Sequence, residues 1–316
     1  MKGLKRSGLR TALWIILGMG NAVLLAAGAI QPIPQTIPYD REKARLGRQL
    51  FFDPHLSRDG TVACVTCHHP DSGADTTPVS IGIAGQKGGA NTPTVFNSVF
   101  NFRQMWNGHA RDLKEQVRMP VHNPVEMAMD RDAIARYLGK NPRYREAFRR
   151  LYGHDPDFDT MSDAIAEFEK SLITPNCKFD RYLRHEVSLS PEELRGYKLF
   201  KRLGCVTCHN GINIGGNSYQ KMGLIHPYRW HRGTPDRYAL TRKEADKNIY
   251  KVPSLRNVAL TAPYFHDGSA PTLREALKRM AYHNLGFELS PSEIDALLAF
   301  LKTLTGEPPA TMKGIP

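Results

Sequence analysis

Apolar residues recur at helical spacing along most of the chain, and no alternating apolar and polar pattern of the kind found in strands runs far. One stretch puts four apolar side chains on a single helical face: Met161, Ile165, Phe168 and Leu172. Because proline cannot continue a helix, we expect this helix to run up to Pro175. The pattern predicts a mainly α fold, with long turn-rich loops such as residues 72–94 between the helices.

Capping residues mark several helix starts. Ser190 and Ser290 each precede a proline and an acidic first turn, the order that is typical of an N-cap followed by the first helical position. Asp112 and Thr272 each precede an amphipathic run with a glutamate three residues later. We therefore predict helices that begin directly after these four residues, and a last helix that ends near Gly306.

The N-terminal segment has the pattern of an export signal. Its first ten residues include four basic ones, and residues 11–38 carry no charge. Ala27-Gly28-Ala29 fits the small-residue cleavage pattern, so we assign residues 1–29 to a signal peptide. The apolar stretch is also long enough for residues 11–30 to remain as an uncleaved membrane anchor. Either way, we expect the working part of the chain outside the cytoplasm, in the periplasm.

Composition and charge narrow the class of protein. The chain has 316 residues, of which 41% are hydrophobic and 23% charged, which fits two globular domains and excludes an intrinsically disordered protein. The formal net charge is +12, to which the basic N-terminus contributes. Since no run of five or more basic residues occurs, we interpret the excess charge as a solvated surface and predict no nucleic-acid partner.

Four of the five cysteines lie in two copies of one pentapeptide, Cys64-Val65-Thr66-Cys67-His68 and Cys205-Val206-Thr207-Cys208-His209. This is the attachment pattern of c-type haem, in which two thiols bond to the porphyrin and the adjacent histidine faces the iron. A zinc site joining the two cysteine pairs and a thioredoxin-like redox pair are the alternatives. The adjacent histidines and the export signal favour two covalently bound haems. Cys177 stands alone, and we expect it to be an inert thiol.

The haem motifs belong to a longer internal repeat. At a constant offset of 160, residues 93–97 match residues 253–257, and residues 105–108 match residues 265–268. We therefore predict two cytochrome c-like haem domains related by duplication. The N-terminal domain is assigned to residues 30–183 and the C-terminal domain to residues 184–316.

The same offset places Met280 opposite Pro120. A methionine thioether is a soft ligand that raises the reduction potential of a haem, so a haem held by His209 and Met280 is suited to electron transfer. Proline has no side-chain donor, so the haem held by His68 keeps a free position for an external molecule. The alternative use of Met280 is core filling, because it continues an apolar helical face.

Two polar residues lie near Pro120 in the sequence. Glu126 is a candidate proton shuttle, because an apolar haem pocket would raise its pKa towards the working range. Gln116 can form a hydrogen bond with a bound oxygen ligand without ionising. On chemistry alone, the interpretation of both as ordinary surface residues has equal weight.

Several segments between Leu46 and Gly306 carry a resemblance to a known family. Besides the two haem motifs, they are residues 47–54, 91–97, 172–175, 179–183 and 260–268. Through them the chain resembles the bacterial di-haem cytochrome c peroxidases, within the wider peroxidase and MauG-like superfamily. The resemblance implies reduction of hydrogen peroxide to water with electrons from a small soluble cytochrome c or cupredoxin. It leaves open whether the protein forms a homodimer.

The resemblance also implies roles for particular residues. The family's distal glutamine, proline and glutamate match Gln116, Pro120 and Glu126. Trp106 matches the tryptophan between the two haems, and Met280 matches the methionine ligand of the electron-accepting haem. Asn91 and the carbonyl groups of Thr261 and Pro263 match a calcium site between the domains, and oxygen-only ligation suits that cation.

One departure from the family concerns the peroxide-binding haem. In many members a histidine in the loop after the first motif caps this iron in the oxidised enzyme, whereas Ile83 stands there in this sequence. An isoleucine cannot ligate iron. We therefore hypothesise that the first haem is five-coordinate or water-bound when both irons are ferric. The histidines that could replace the missing ligand are His69, His109 and His122.

Two other functions stay open on the sequence alone. The first is a MauG-like enzyme that oxidises residues of another protein. An uncapped first haem favours it, but that behaviour accompanies a tyrosine at the second haem, so Met280 counts against it. The second is a di-haem electron carrier without catalysis.

Overall fold

The computed structural model describes residues 29–229 and 233–312. Within these ranges the chain is mainly helical, as predicted. The α-helices are α1 (Arg41–Phe51), α2 (Cys64–Cys67), α3 (Leu113–His122), α4 (Arg131–Lys140), α5 (Pro142–Tyr152), α6 (Phe158–Lys170), α7 (Lys178–Leu183), α8 (Pro191–Arg202), α9 (Tyr238–Thr241), α10 (Leu273–Met280) and α11 (Pro291–Lys302). Two antiparallel strands, β1 (Tyr219–Lys221) and β2 (Ile249–Lys251), are too short to leave an alternating pattern in the sequence.

The predicted signal peptide, residues 1–29, lies outside the described residues except at its last position. Its cleavage, or its retention as an anchor over residues 11–30, therefore stays a prediction. In the part of the chain that the structure describes, no helix has the length and hydrophobicity to cross a membrane.

A pair of tightly packed helices forms the centre of the first half. α1 contributes Leu50 and Phe51 to a buried core. The predicted face of α6 is buried as expected, with exposures of 0 to 1% at Met161, Ile165, Phe168 and Leu172. At the point of closest approach, a Cβ on Gly47 would lie 1.8 Å from the carbonyl oxygen of Ala164. The packing of α1 on α6 therefore requires a glycine at this position.

The second half repeats this arrangement with α8 and α11. A Cβ on Gly196 would lie 1.9 Å from the carbonyl oxygen of Ala296. The surrounding side chains form a second, separate core that includes Leu199, Phe200 and Leu297. The repeated helix pair confirms that the two cytochrome c-like halves are related by internal duplication.

Two equivalent asparagines connect the segments that follow the haem motifs to these helix pairs. Asn97 and Asn257 both adopt the left-handed conformation, with φ of 61° and 60°. The N–H of Asn97 donates to the carbonyl oxygen of Leu172, and the N–H of Asn257 donates to that of Leu304. Both side-chain amides donate to Oγ1 of Thr174, at 2.8 and 3.0 Å. Thr174 therefore links the two halves.

These bonds explain two predicted helix ends that are wrong. α6 ends at Lys170 rather than at Pro175, and α11 ends at Lys302 rather than near Gly306. The side-chain oxygens of Asn97 and Asn257 accept hydrogen bonds from the N–H groups of Thr174 and Gly306, which a continued helix would donate to the carbonyl groups of Lys170 and Lys302. The predicted helix starts are confirmed, since each capping side chain accepts a hydrogen bond from the third residue of its helix: Asp112, Ser190, Thr272 and Ser290.

The two halves meet in a pseudo-symmetric junction. The N–H of Asn91 donates to the carbonyl oxygen of His266 at 2.9 Å, and the N–H of Lys251 donates to that of Trp106 at 2.7 Å. Asn91 and Lys251 are 160 residues apart, and so are Trp106 and His266. The two hydrogen bonds are therefore copies of each other, one donated by each half to the other.

Replacing Gly47 with alanine tests the packing of α1 on α6. Because the added Cβ has no room, we expect the free energy of unfolding of the haem-loaded protein to fall by about 1–3 kcal/mol. The control is Gly139→Ala in α4, where a Cβ meets nothing within 4 Å; there we expect a gain of about 0.5–1 kcal/mol. Denaturant unfolding measures both, and equal effects would contradict the close approach.

Candidate haem sites

The first haem motif lies on the wall of a partly open cavity. The attachment residues and the predicted distal residues line this cavity together: Cys64, Cys67, His68, Gln116, Pro120 and Glu126. Much of the remaining wall is apolar and includes Val62, Leu113, Val117 and Met127. The fold therefore combines a haem attachment sequence, an apolar enclosure and a few polar groups in one place.

The ring of His68 is oriented by its own loop. Nδ1 lies 2.9 Å from the carbonyl oxygen of Gly73, a contact that favours the Nδ1–H tautomer and leaves Nε2 to bind a metal. Gly73 has a φ of +66°, and a Cβ there would lie 2.7 Å from Oγ1 of Thr94, so the turn requires glycine. Burial lowers the pKa of His68, which keeps the imidazole neutral at pH 7, as iron ligation requires.

The thiols beside this cavity are protonated at neutral pH. Burial raises the pKa of Cys64 far above its ordinary value and that of Cys67 to about 11. A thiolate is the form that binds zinc or exchanges disulfides. Among the described residues, no group of three or more His, Cys, Asp or Glu side chains could hold a metal ion. The raised pKa values disfavour a thioredoxin-like redox pair, and two thiols one helical turn apart fit thioether bonds to haem.

The opposite wall of the cavity comes from α3 and the loop after it. Asp112 caps α3, and Gln116 and Pro120 lie one turn apart on the side that lines the cavity. Beyond the helix the chain folds back, with the N–H of Met127 donating to the carbonyl oxygen of Pro120 at 3.2 Å. This turn brings Glu126 to the same wall. The structure thus assembles the glutamine, proline and glutamate that the resemblance grouped.

Both polar side chains of this wall have hydrogen-bonding capacity left over. Oε1 of Gln116 is buried without a partner among the described residues. Oε1 of Glu126 accepts one long hydrogen bond, 3.5 Å from Oγ of Ser80. Burial raises the pKa of Glu126 above its ordinary value. An amide and a carboxyl group in this state can hold an oxygen ligand and exchange a proton with it.

The loop in which relatives carry a capping histidine packs against Glu126. The N–H of Ile83 donates to the carbonyl oxygen of Glu126 at 2.9 Å. The side chain of Ile83 is buried, but it does not line the cavity. Position 83 therefore supports the backbone of the distal wall and supplies no group to an iron.

The three histidines named as replacements also lie off the cavity wall: His69, His109 and His122. The ring of His122 stacks on Phe158 with centroids 4.4 Å apart. Nε2 of His69 lies 3.8 Å from the carboxylate of Asp75. Of the histidines in the described ranges, His68 is the one that lines the cavity.

The second haem motif follows α8 and repeats the features of the first. Nδ1 of His209 lies 3.4 Å from the carbonyl oxygen of Ile214. Burial lowers the pKa of His209 to about 4, so its imidazole is neutral at pH 7. Burial also raises the pKa of Cys205 to about 11 and raises that of Cys208. Both motifs therefore present two neutral thiols and a neutral imidazole, and the residues fit two haem c groups.

Met280 and Pro120 occupy the same position of equivalent helices. Each is the eighth residue of its helix, α10 and α3 respectively. The Met280 side chain packs against a cluster formed by Met222, Tyr228 and Tyr250. The second half thus has a thioether where the first half has a proline ring.

Trp106 contacts the surroundings of both sites. Its ring lines the first cavity and also packs against the cluster beside Met280. Nε1 donates to the carbonyl oxygen of Asn91 at 2.8 Å, and the ring meets that of His266 edge-on with centroids 6.2 Å apart. Trp106 is therefore held in one orientation at the junction between the halves.

The predicted calcium ligands lie along the same junction. The backbone of Asn91 bonds to His266, three residues after Pro263. Nδ2 of Asn91 donates to the carbonyl oxygen of Thr77, which orients Oδ1 away from that bond. Within the described residues, no hydrogen bond reaches the carbonyl oxygens of Thr261 and Pro263. These oxygen atoms are thus available to a hard cation.

Cys177 has the environment of a structural thiol. It is 2% exposed and caps α7, and its Sγ accepts hydrogen bonds from Asp180 and Arg256. Burial raises its pKa to about 11, which agrees with the expected inert thiol. The neighbouring ion pair of Arg256 and Asp180 is completely buried, with a distance of 2.6 Å.

Sequence reasoning missed two buried charged residues near the sites. Glu169 on α6 is 3% exposed and lines the first cavity, and Lys251 on β2 is 6% exposed. Both have an equivalent position in the other half. At the offset of 160, Lys251 stands opposite Asn91. Ala164 and Ala296 occupy equivalent places against Gly47 and Gly196, and counting five residues on from each puts Glu169 opposite Leu301. A charge at only one of two equivalent positions marks a difference between the halves.

Comparison with known proteins agrees with this architecture. The family model described as di-haem cytochrome c peroxidase matches residues 41–188, and the cytochrome c model matches residues 194–305. The chain is 46% identical to the cytochrome c551 peroxidase of Nitrosomonas europaea, over 91% of this chain and 87% of that protein. It is 45% identical to the cytochrome c peroxidase Ccp of Escherichia coli, over 88% of this chain and 61% of that longer protein.

A solved structure supports the same fold. It is the crystal structure of a MauG-like protein associated with microbial copper homeostasis, with a TM-score of 0.79 and 28% identity. The match covers 90% of this chain and 94% of that protein. The likeness extends over both halves of the chain.

Glu169 predicts a specific pH dependence of stability. Burial raises its pKa in the folded state to about 8, whereas an unfolded glutamate titrates near its ordinary value. Between these values the folded state holds the extra proton, so stability falls as the pH rises, by about 1.4 kcal/mol per pH unit. Chemical denaturation from pH 5 to 8 should show this slope in the haem-loaded protein. Glu169→Gln should lose this contribution, so that its stability falls less with rising pH than that of the wild type, whereas Glu146→Gln, an exposed control on α5, should match the wild type. An unchanged slope in Glu169→Gln would contradict the assignment.

Proposed function

This chain belongs to the family of di-haem cytochrome c peroxidases, and we propose that it reduces hydrogen peroxide to water with electrons from a small soluble cytochrome c or cupredoxin. Peroxide binds at the haem of His68, and electrons enter through the haem of His209 and Met280. The relatives of 45–46% identity make the chain an enzyme of the peroxidase class, which sets aside the non-catalytic electron carrier.

One observation carries the assignment of the peroxide site. A single cavity is lined on one side by the haem attachment residues and on the other by Gln116, Pro120 and Glu126. Among the described residues, its wall holds one histidine, His68. An iron bound by His68 therefore has protein polar groups nearby, and this wall offers it no second histidine.

Gln116 and Glu126 have different roles in the proposed reaction of peroxide. When bound, the haem supplies the iron that activates peroxide and passes electrons to it. The amide of Gln116 holds the peroxide by a hydrogen bond. Glu126 accepts a proton from one peroxide oxygen and returns it to the other, so that the second oxygen leaves as water. The complete reaction takes up two electrons and two protons and yields two waters.

The second half passes electrons towards this site. A thioether from Met280 and the imidazole of His209 together favour the reduced state of a haem, which suits the acceptance of electrons from a partner protein. Trp106 lies against both sites and is the side chain best placed to connect them. A calcium ion held by Asn91 and the carbonyl groups of Thr261 and Pro263 would fix the same junction.

We also propose limits for the two domains and a location in the periplasm. The peroxide-binding domain spans residues 30–183 and the electron-transfer domain residues 184–316. Two separate buried cores support a division into two domains. The limit at residue 183 departs from them, because Cys177 and Phe179 of the α7 region already belong to the second core. Ile30 also packs against the second core, and Met312 joins the first. The basic and apolar N-terminus supports export to the periplasm, where the donor protein would also be found. Sedimentation of the haem-loaded protein would establish whether two copies associate.

A MauG-like oxidation of another protein is the second candidate. The absence of a histidine at position 83 favours it, as does the likeness to a MauG-like structure. Met280 weighs against it, because that chemistry accompanies a tyrosine in the resemblance described above. Steady turnover of peroxide with a reduced cytochrome c as donor distinguishes the two.

Removing the carboxylate of Glu126 tests the proton transfer. In Glu126→Gln we expect kcat/KM for peroxide to fall by about 10²–10⁴, with the haem content unchanged. Because burial raises the pKa of Glu126, the wild-type rate should fall with decreasing pH at a value above that of an ordinary glutamate, and the variant should lack this limb. Glu146→Gln serves as the control. A near-normal rate in Glu126→Gln would remove Glu126 from the mechanism.

Changing the second haem's ligand tests the entry of electrons. Met280→His replaces a thioether by an imidazole and should lower the potential of that haem. Since about 59 mV corresponds to a tenfold change in a one-electron equilibrium, we expect turnover to fall at least about tenfold. Met222→Leu, in the same cluster, is the matched control. Normal turnover and an unchanged potential in Met280→His would show that Met280 only fills the core.

A further inference from the structure

Lys251 is a buried lysine at the junction between the two halves. It is the last residue of β2 and is 6% exposed. Its backbone N–H donates to the carbonyl oxygen of Trp106 at 2.7 Å, which fixes the position of the residue beside the tryptophan. Burial lowers the pKa of Lys251 to about 8, so the ammonium is still mostly protonated at pH 7.

The ammonium has no partner among the described residues. The ion pairs and side-chain hydrogen bonds found there include none from Nζ of Lys251. The other buried lysine or arginine of the described residues, Arg256, is paired with Asp180. A buried charge without an anion costs several kcal/mol, and proteins avoid that cost by pairing it. Lys251 therefore requires an anion that is not one of the chain's own side chains.

The position of Lys251 indicates where this anion comes from. On one side lies Trp106, whose ring lines the first cavity. On the other side, two residues further along the chain, the carbonyl group of Pro253 faces the ring of His209. Lys251 thus lies between the two haem sites. The carboxylates that a haem brings with it are its two propionates.

The internal repeat shows that this charge is specific to one half. The position equivalent to Lys251 in the first half is Asn91, whose N–H forms the equivalent backbone hydrogen bond, to the carbonyl oxygen of His266. Only one of these two symmetric positions carries a charge. The same backbone hydrogen bond forms with an asparagine in the first half, so the junction does not need a lysine for its backbone geometry. We therefore look for a separate role for the ammonium group.

We propose that the ammonium of Lys251 forms a salt bridge with a haem propionate at the junction, and that it orients this haem and raises its reduction potential. The proposal rests on the proposed function only in that haem is attached at both motifs. It does not depend on peroxide reduction. A fixed positive charge near a haem favours the reduced state, which carries one positive charge fewer, so removal of the charge lowers the potential.

The test is a spectroscopic redox titration of the haem-loaded protein and three variants. Lys251→Met removes the charge and keeps a chain of similar length, and Lys251→Arg keeps the charge. Lys221→Met removes an exposed lysine from the paired strand β1 and is the matched control. In Lys251→Met we expect one haem's potential to fall by about 59 mV or more, a tenfold change in its one-electron equilibrium. Lys251→Arg and Lys221→Met should stay close to the wild type.

The haem whose reduction potential shifts is the haem whose propionate pairs with Lys251. A shift at the higher-potential haem assigns the salt bridge to the His209 site, and a shift at the lower-potential haem assigns it to the His68 site. Unchanged potentials of both haems in a fully loaded Lys251→Met protein would overturn the proposal.

A second measurement keeps the proposal testable if Lys251→Met loses haem or does not fold. A crystal structure of the wild-type holoprotein should place Nζ of Lys251 within hydrogen-bond distance of a propionate oxygen. A separation beyond ordinary salt-bridge distance from all propionate oxygens would overturn it. Neither experiment measures peroxide turnover, so failure of the salt bridge is distinguishable from failure of the proposed peroxidase function.

Discussion

A proline ring at position 120 offers no atom that can bind iron, and the proposed difference in role between the two halves depends on this constraint. Both halves present the same attachment sequence, a histidine oriented by a backbone carbonyl group, and a tightly packed helix pair. What differs is the eighth residue of the helix facing the haem: a proline in α3 and a methionine in α10. In the proposed function, this one difference within a duplicated fold separates a haem that can receive a ligand from one that passes electrons.

The duplication also explains how the two sites are joined. The backbone bonds of Asn91 and Lys251 are repeated across the junction, so each half supports the other with the same geometry. The side chains there have diverged. Trp106 has His266 as its counterpart, and the neutral Asn91 has the cationic Lys251. The repeated backbone provides rigidity, while the unequal side chains provide the chemistry that distinguishes one site from the other.

The sequence predicted the features that depend on local patterns. Three kinds of feature could be recognised in the sequence because each occupies a few neighbouring residues: the helix caps, the buried face of α6 and the two haem motifs. The predicted ends of α6 and α11 were wrong because Asn97 and Asn257, distant in sequence, accept hydrogen bonds from the N–H groups that would continue each helix. Glu169 and Lys251 were missed because burial of a charge depends on the whole fold. For Lys251 the sequence signal was the neutral Asn91 at the equivalent position of the first half, whereas the equivalence of Glu169 and Leu301 follows from the helix packing.

The most direct measurement is the EPR and optical spectrum of the haem-loaded protein with both irons ferric. Since no second histidine lines the cavity of His68 in the described chain, and Ile83 replaces the capping residue, one haem should be high-spin and should bind an added ligand such as cyanide without prior reduction. The other should be low-spin with histidine and methionine ligation. Two fully low-spin haems, the first with two histidine ligands, would contradict an open site at His68.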